Sequence, residues 1–348
     1  MQQSDIKHIS WHDSAWNELW ANPSGLPHAL LLTGREGIGK GRFALAAAAR
    51  LLCESLAGSD ACGQCPSCRW FLGGNHPDFR HVIPAADLEA EEADADTERK
   101  KGSRQILIDQ IRELEDFVFV GGHRNGARVV VIEPAEAMNH AAQNALLKIL
   151  EEPPASVYFI LISYRWRRLL PTIRSRCRSL ALARPNLTQA KAWLKSEGAD
   201  QAAGLLPLVG HAPLLALAEN TLGRGAILIE VMGSLANPGR NSLQLAARWQ
   251  ALLQLKSESG LVMDRFVELV QKWLFELVLV KLSGRQRLNE GQGAAARQLA
   301  EKASAAALLR CYNDLMKIRA LASHPLNPQL FLEDIAERYL HALAMERT

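Results

Sequence analysis

Aromatic residues are scarce in this chain of 348 residues: Phe, Trp and Tyr together make up 6%. Alanine and leucine are abundant instead, which leans the reading toward helix. Excess charge of one sign is also missing. Forty Lys and Arg stand against 37 Asp and Glu, a formal net charge of +3. That argues against a chain coated in basic charge to bind nucleic acid tightly by itself and leaves room for a local basic patch. No stretch approaches the roughly eighteen consecutive apolar residues of a spanning helix. The opening segment, MQQSDIKHISWHDSAW, has no apolar centre of a secretion signal. A cytoplasmic protein with no membrane contact is therefore expected. Cysteine is rare outside one place: of six, four crowd between Cys53 and Cys68. A reducing compartment disfavours a disulfide framework, so a metal site is the first reading.

With 48% hydrophobic and 22% charged residues, the chain has enough apolar content for real cores, and its length suggests two or three domains. Short apolar runs alternate with helical patterns through the first half. Ala29–Leu32, Val129–Ile132 and Val157–Ile162 read as buried strands, and Ser179–Ala183 as a further one. Phe43–Leu52 and Gln105–Val120 have helical spacing. Asn139–Leu150 reads as a helix capped by its asparagine and stopped by Pro153-Pro154. This alternation predicts a parallel sheet with helices on both faces. Asp87–Lys101, acidic then basic, reads as an exposed mobile loop. Beyond Arg184-Pro185 everything reads as helix, including Thr188–Glu197 and Pro213–Asn220. Breaks fall at Asn237-Pro238-Gly239 and across Gly284–Gly293. Phe266–Leu282, with Val267, Val270, Leu274 and Val278 on one face, is expected to serve assembly, although such faces also pack on one another.

Gly34-Arg35-Glu36-Gly37-Ile38-Gly39-Lys40-Gly41 fits the phosphate-loop pattern, with glycine where Ser or Thr belongs. Gly34, Gly37 and Gly39 would let backbone N–H groups turn in around phosphate, and Lys40 would sit on the outer phosphates. Gly41 removes the hydroxyl that holds magnesium. The second acidic motif is damaged as well: the strand Val129–Ile132 ends in Glu133-Pro134, and proline stands where a water-activating Glu belongs. Two missing catalytic groups point to a chain that does not hydrolyse ATP, while a glycine turn kept for its shape alone is the plainer alternative.

Cys53, Cys62, Cys65 and Cys68 offer four thiolates. The turns Cys-Gly-Gln-Cys and Cys-Pro-Ser-Cys bring sulfurs to one point, and Cys53 closes the set from the end of the preceding helix. Four sulfurs with no open position suit a structural zinc, with an iron–sulfur cluster as the chemical rival. Cys177 and Cys311 stand alone and read as buried.

Ser175-Arg176-Cys177, the run Asn144–Pro154, the stretch His28–Gly41, the four cysteines and His76-Pro77-Asp78 together resemble the clamp-loader ATPases of bacterial DNA polymerase III, convincingly over residues 26 to 183. The resemblance implies an α/β P-loop (AAA+) domain with a parallel sheet over residues 1–183, carrying a zinc module at 53–68. It then implies a small helical lid over 184–224 and an all-α collar over 225–348. It implies that Arg176 reaches across as an arginine finger to ATP on the next subunit, and that Ser163 matches the residue sensing the terminal phosphate. It also implies that the lid arginine, which falls near Pro213, is absent. Within the family, degenerate ATP motifs beside an intact Ser-Arg-Cys indicate a non-hydrolysing subunit. Its implied partners are the motor ATPase and delta-type subunits, with the sliding clamp and primer-template DNA reached through the complex. This chain keeps Lys40, which leaves ATP or ADP binding open. Without the resemblance, Arg176 is one more surface arginine beside Arg165, Arg167, Arg168, Arg174 and Arg178. Two rival readings are an active motor ATPase, opposed by Gly41, Pro134 and Pro213, and a zinc-dependent nucleic-acid-binding module, opposed by the near-balanced charge.

Overall fold

The computed structural model describes residues 6–22, 25–86, 103–119, 126–254, 263–286, 292–319 and 327–344; the segment read as an acidic-then-basic loop, residues 87 to 101, lies outside them. The chain divides into two compact units, Met1–Pro185 and Asn186–Thr348.

The first unit is built on a five-stranded sheet. Its strands are β1 (Ala29–Thr33), β2 (Phe79–Val82), β3 (Arg128–Ile132), β4 (Val157–Ser163) and β5 (Arg178–Ala181). They lie in the order β2-β3-β4-β1-β5, and every pairing is parallel. The apolar runs make this possible. A parallel sheet is covered on both faces, so its inner strands must be apolar at every position, as all five residues of β1 and of β3 are buried. Alternate side chains then serve two cores. Leu30, Leu32, Val131, Ile160 and Ile162 pack with the alanines of α2 (Lys40–Leu52). Leu31, Val130, Ile132, Phe159 and Leu161 pack with α4 (Ile108–Phe119) and α5 (His140–Glu151). Two shorter helices complete this framework, α1 (Asp13–Trp20) and α3 (Pro66–Leu72). Asn139 caps α5 as its sequence suggests, its side chain accepting from Ala142 N at 2.8 Å. Strand β2, Phe-Arg-His-Val, escaped sequence reading because it pairs only with β3 at the sheet edge and its middle residues are exposed.

Among the described residues the second unit is entirely helical. It comprises α7 (Leu187–Ser196), a 3-10 turn (Asp200–Leu205), α8 (Pro213–Thr221), α9 (Gly225–Ala236), α10 (Ser242–Gln254), α11 (Met263–Ser283), α12 (Gly293–Lys302), α13 (Ala305–Arg319) and α14 (Pro328–Ala344). One core runs from Ala190 to Ala342. Its large aromatics have satisfied polar tips. Trp273 Nε1 donates to Tyr339 Oη at 2.8 Å, the Tyr339 hydroxyl donates to Leu235 O at 2.5 Å, and Trp249 Nε1 donates to Ser234 Oγ at 2.7 Å. The face of Val267, Val270, Leu274 and Val278, expected to serve assembly, lies inside this core. The reason is that α11 is packed on several sides, so its most apolar positions meet other helices of the same unit.

Candidate functional site

The phosphate loop follows from the end of β1. Gly34, Gly37 and Gly39 have φ of +146°, +72° and +99°. At Gly39 the left-handed φ favours glycine, and a Cβ there would displace the end of the Ile9 side chain, 2.7 Å away at Cδ1. The loop is braced from the N-terminal segment, where Trp11 Nε1 donates to Ile38 O at 3.0 Å. His12, packed beside Phe43, sits 3.2 Å from Ala183 O through Nε2, and burial lowers its pKa to about 4.

Lys40 opens α2 and is 2% exposed. Its ammonium turns back on its own loop, donating to Gly34 O at 2.8 Å and Arg35 O at 2.6 Å, and lies 4.0 Å from the centre of the Tyr164 ring. Burial lowers its pKa to about 8, against the pull of Glu133, Glu136 and Glu36. The space beside the loop is taken by Glu133. A Cβ on Gly41 would stand 3.2 Å from Glu133 Oε2, so the missing side chain at 41 is what lets this carboxylate lie against the start of α2. Glu133 accepts from the Tyr164 hydroxyl and lies 3.7 Å from His81 Nε2. Burial pushes its carboxyl up, but His81, Tyr164 and Lys40 together hold it below its ordinary value. Ser163, fully buried, donates to Glu136 Oε2 at 2.7 Å, and Glu136 also accepts from the N–H groups of Tyr164 and Arg165. Tyr164 and His81 were not legible as site residues, since no motif carries them and only the sheet order brings the ends of β2, β3 and β4 to β1.

Arg176 ends the six-residue helix α6 (Pro171–Arg176). Its guanidinium donates to Glu151 Oε1 at 2.5 Å and to Thr172 O at 3.2 Å. Glu151 closes α5, so this pair joins the two sequence runs, Asn144–Pro154 and Ser175-Arg176-Cys177. The helix is pinned by Ile173 and Cys177, both buried, and by Gln143, whose side chain accepts from Leu170 N at 2.9 Å and donates to Met138 O at 3.0 Å. Gln143 carries no sequence signal beyond its place on the buried side of α5.

The Sγ atoms of Cys53, Cys62, Cys65 and Cys68 all lie within 4.8 Å of one another. Cys53 caps the C-terminus of α2, and Cys65 caps the N-terminus of α3. Backbone N–H groups point at the sulfurs: Cys62 N at Cys53 (3.3 Å), Gln64 N and Cys65 N at Cys62 (3.4 and 3.3 Å), and Cys68 N at Cys65 (3.4 Å). Those two donors to Cys62 lower its thiol to about 6, while burial pushes Cys53 and Cys68 up. Four sulfurs this close cannot all ionise without a cation between them. The set therefore fits one tetrahedral metal ion, and structural zinc is compatible with it. Beneath α3, Ser67 Oγ donates to Leu52 O at 2.5 Å and lies 2.8 Å from His76 Nε2. His76 Nδ1 accepts from Asp78 N at 3.0 Å. The His76-Pro77-Asp78 run thus ties the cysteine module to β2.

A parallel sheet in this order, with a glycine loop running from β1 into a helix, defines a P-loop domain. The family model described as "DNA polymerase III, delta subunit" matches residues 17–186. The chain is 40% identical over 210 residues to the DNA polymerase III subunit delta' of Pseudomonas aeruginosa, a match covering 59% of each chain. It is 32% identical over 297 residues to that of Yersinia pestis, covering 84% of this chain and 82% of the relative. With the Haemophilus influenzae protein the identity is 30% over 317 residues, 88% of each. The chain belongs to the delta' subunit family of DNA polymerase III. No helix among the described residues is long and apolar enough to cross a membrane.

Proposed function

We propose that this chain works in a clamp loader of DNA polymerase III as a subunit that does not hydrolyse ATP and presents Arg176 to ATP held by a neighbouring subunit. The observation that carries the reading is the contrast between two cations. Lys40 is buried and committed to Gly34, Arg35 and Tyr164 of its own site, whereas Arg176 is half-exposed and held by one surface carboxylate, Glu151. A surface ion pair is worth little, about 0–1 kcal/mol, so Arg176 can exchange Glu151 for phosphate oxygens at small cost. Its planar fork suits charge developing on a transferred phosphoryl group. Gly41 and Pro134 supply neither a magnesium hydroxyl nor a base. ATP or ADP binding to the phosphate loop stays compatible with the glycine geometry, provided that Lys40 leaves the two carbonyls it now engages.

The partners are then motor ATPase and delta-type subunits, with the sliding clamp and primer-template DNA reached through the assembly. Residues 184–224 serve as a small lid and 225–348 as the collar. Exposed apolar residues support the collar role: Phe275 and Leu282 on α11, and Leu309 and Met316 on α13, repeat at seven-residue spacing and leave apolar surface uncovered on two packed helices. The cysteine module holds one structural zinc, which contributes folding energy and takes no part in catalysis. Elemental analysis is expected to give close to one zinc per chain, and iron with a visible absorbance band would refute it.

The deciding experiment measures DNA-stimulated ATPase and clamp loading by the complete assembly with Arg176→Ala. Both should fall while assembly and metal content stay intact, and Arg176→Lys should rescue poorly. An assembled variant with unchanged turnover and loading would reduce this chain to a scaffold.

A further inference from the structure

From the end of β4 to the first residue of β5 the chain carries six arginines in fourteen residues. Arg165, Arg167, Arg168, Arg174, Arg176 and Arg178 follow one another without an acidic residue among them, and this short segment exceeds the +3 of the entire chain. Two of the six are paired, Arg176 with Glu151 and Arg178 with Glu18 at 3.1 Å. Among the described residues the other four make no ion pair. Two of these four, Arg167 and Arg174, lie at Trp166, which is 40% exposed. The guanidinium carbons of Arg167 and Arg174 lie 5.2 and 5.1 Å from its ring. Arg174 Nε is buried without a hydrogen-bond partner.

The backbone beneath this patch is fixed. Glu136 accepts the Arg165 N–H at 2.9 Å, Arg168 N closes a turn onto Arg165 O at 2.8 Å, and Gln143 takes the Leu170 N–H. Leu169 and Ile173 anchor it in the core. The patch is also separate from Arg176. Two residues along a helix is a rotation of about 200°, so Arg174 and Arg176 leave α6 on different sides, one toward Trp166 and the other toward Glu151.

We propose that Arg165, Trp166, Arg167, Arg168 and Arg174 form a binding site for single-stranded nucleic acid. Unpaired guanidinium groups take the phosphates, and the indole with its flanking guanidinium planes offers stacking surface to bases. A protein-docking anchor is less well served here, because the neighbouring Leu169 and Ile173 are buried and a lone indole among arginines makes no apolar interface core. With nothing arranged to read base edges, binding is set by charge and stacking and is tolerant of sequence. The site does not depend on Arg176 acting as a finger.

The test uses the full chain and a fluorescein-labelled thymidine 20-mer, with anisotropy titrations across a salt series. The unaltered chain should bind with affinity that falls steeply with salt. The triple change Arg165→Ala, Arg167→Ala, Arg168→Ala should weaken binding at least tenfold and flatten the slope of log K against log salt by about 2, at roughly 0.7 per lost phosphate contact. Trp166→Ala should weaken binding about fivefold or more with the slope unchanged, and Trp166→Phe should restore most of it. Arg112→Ala, at an exposed position on α4, should change nothing. Melting temperature and metal content verify the fold of each variant, and Arg167→Glu alone gives the same reading if the triple variant is unstable. Absence of salt-sensitive binding by the unaltered chain overturns the proposal, as does a triple variant with the same affinity and slope. So does a triple variant that binds the 20-mer normally but fails to join the other subunits, which would mark the patch as a protein-docking face.

Discussion

The phosphate loop and the arginine corner lie in one domain and treat their cations in opposite ways. At the loop, Lys40 is buried, lowered to about 8 by burial, and satisfied by two carbonyls and a ring of its own unit. At the corner, Arg176 meets only Glu151 and Thr172, close to solvent. A cation whose partners are internal is committed to the fold, while one held by an exposed carboxylate and one carbonyl can exchange them at small cost. The glycines of the loop preserve a shape, and the furniture of its mouth, Glu133, Tyr164 and Glu136, fills it with internal bonds.

The sharpest break of this comparison is Arg176→Ala in the assembled complex. On the finger role proposed above, turnover at the neighbouring site should fall by ~10³-fold or more, the size of a supplied arginine finger. Diluted over all ATPase sites, the total will fall less, so single-site measurements are the better readout. Cys65→Ser comes next. It removes a ligand from the site that joins the end of α2 to α3, and metal binding energy of this kind is folding energy. Loss of metal and of several kcal/mol of stability is expected, measured by elemental analysis and thermal melting. Because α2 begins at Lys40 and ends at Cys53, protection of amides in the phosphate loop should suffer before those around Arg176.

Lys40→Met sharpens the contrast through pH. The folded lysine binds its proton more weakly than the unfolded one, so ionisation costs stability at neutral pH, about 3 kcal/mol at most. That cost is released as pH rises from about 8 through 10.5, so the original chain should gain stability relative to Lys40→Met over that window in denaturant titrations. A difference that stays flat with pH would show that Lys40 is not held in the buried, lowered state. The smallest expected effect is Gly41→Ser. Its Cβ would press on Glu133 at 3.2 Å, costing about 1 kcal/mol, and ATP turnover by the isolated chain should remain absent because Pro134 still offers no base. Turnover gained by this single change would place the whole defect at residue 41.

The parallel sheet was legible because its inner strands must be apolar at every position, and Ala29–Leu32, Val129–Ile132 and Val157–Ile162 have no other reason to be so. The cysteine cluster was legible because four ligands sit within one local turn-rich segment. The edge strand Phe79–Val82 was not, since a half-exposed strand needs no apolar run. The face of Val267, Val270, Leu274 and Val278 was legible as buried, yet periodicity does not say against what; the answer is the rest of its own unit.

What the sequence by itself determined is the set of local facts: glycines able to adopt left-handed φ, a lysine at a helix start, a missing hydroxyl at Gly41, a missing base at Pro134, and four thiols in reach of one ion. Each depends on residues within one short stretch of sequence. Only the tertiary structure decided which distant residues complete these sites. Tyr164 reaches Lys40 and Glu133 because β4 lies between β3 and β1, and Arg176 finds Glu151 because α6 packs on α5. Strand order and helix packing place side chains tens of residues apart in sequence within bonding distance, and no local spacing rule encodes that.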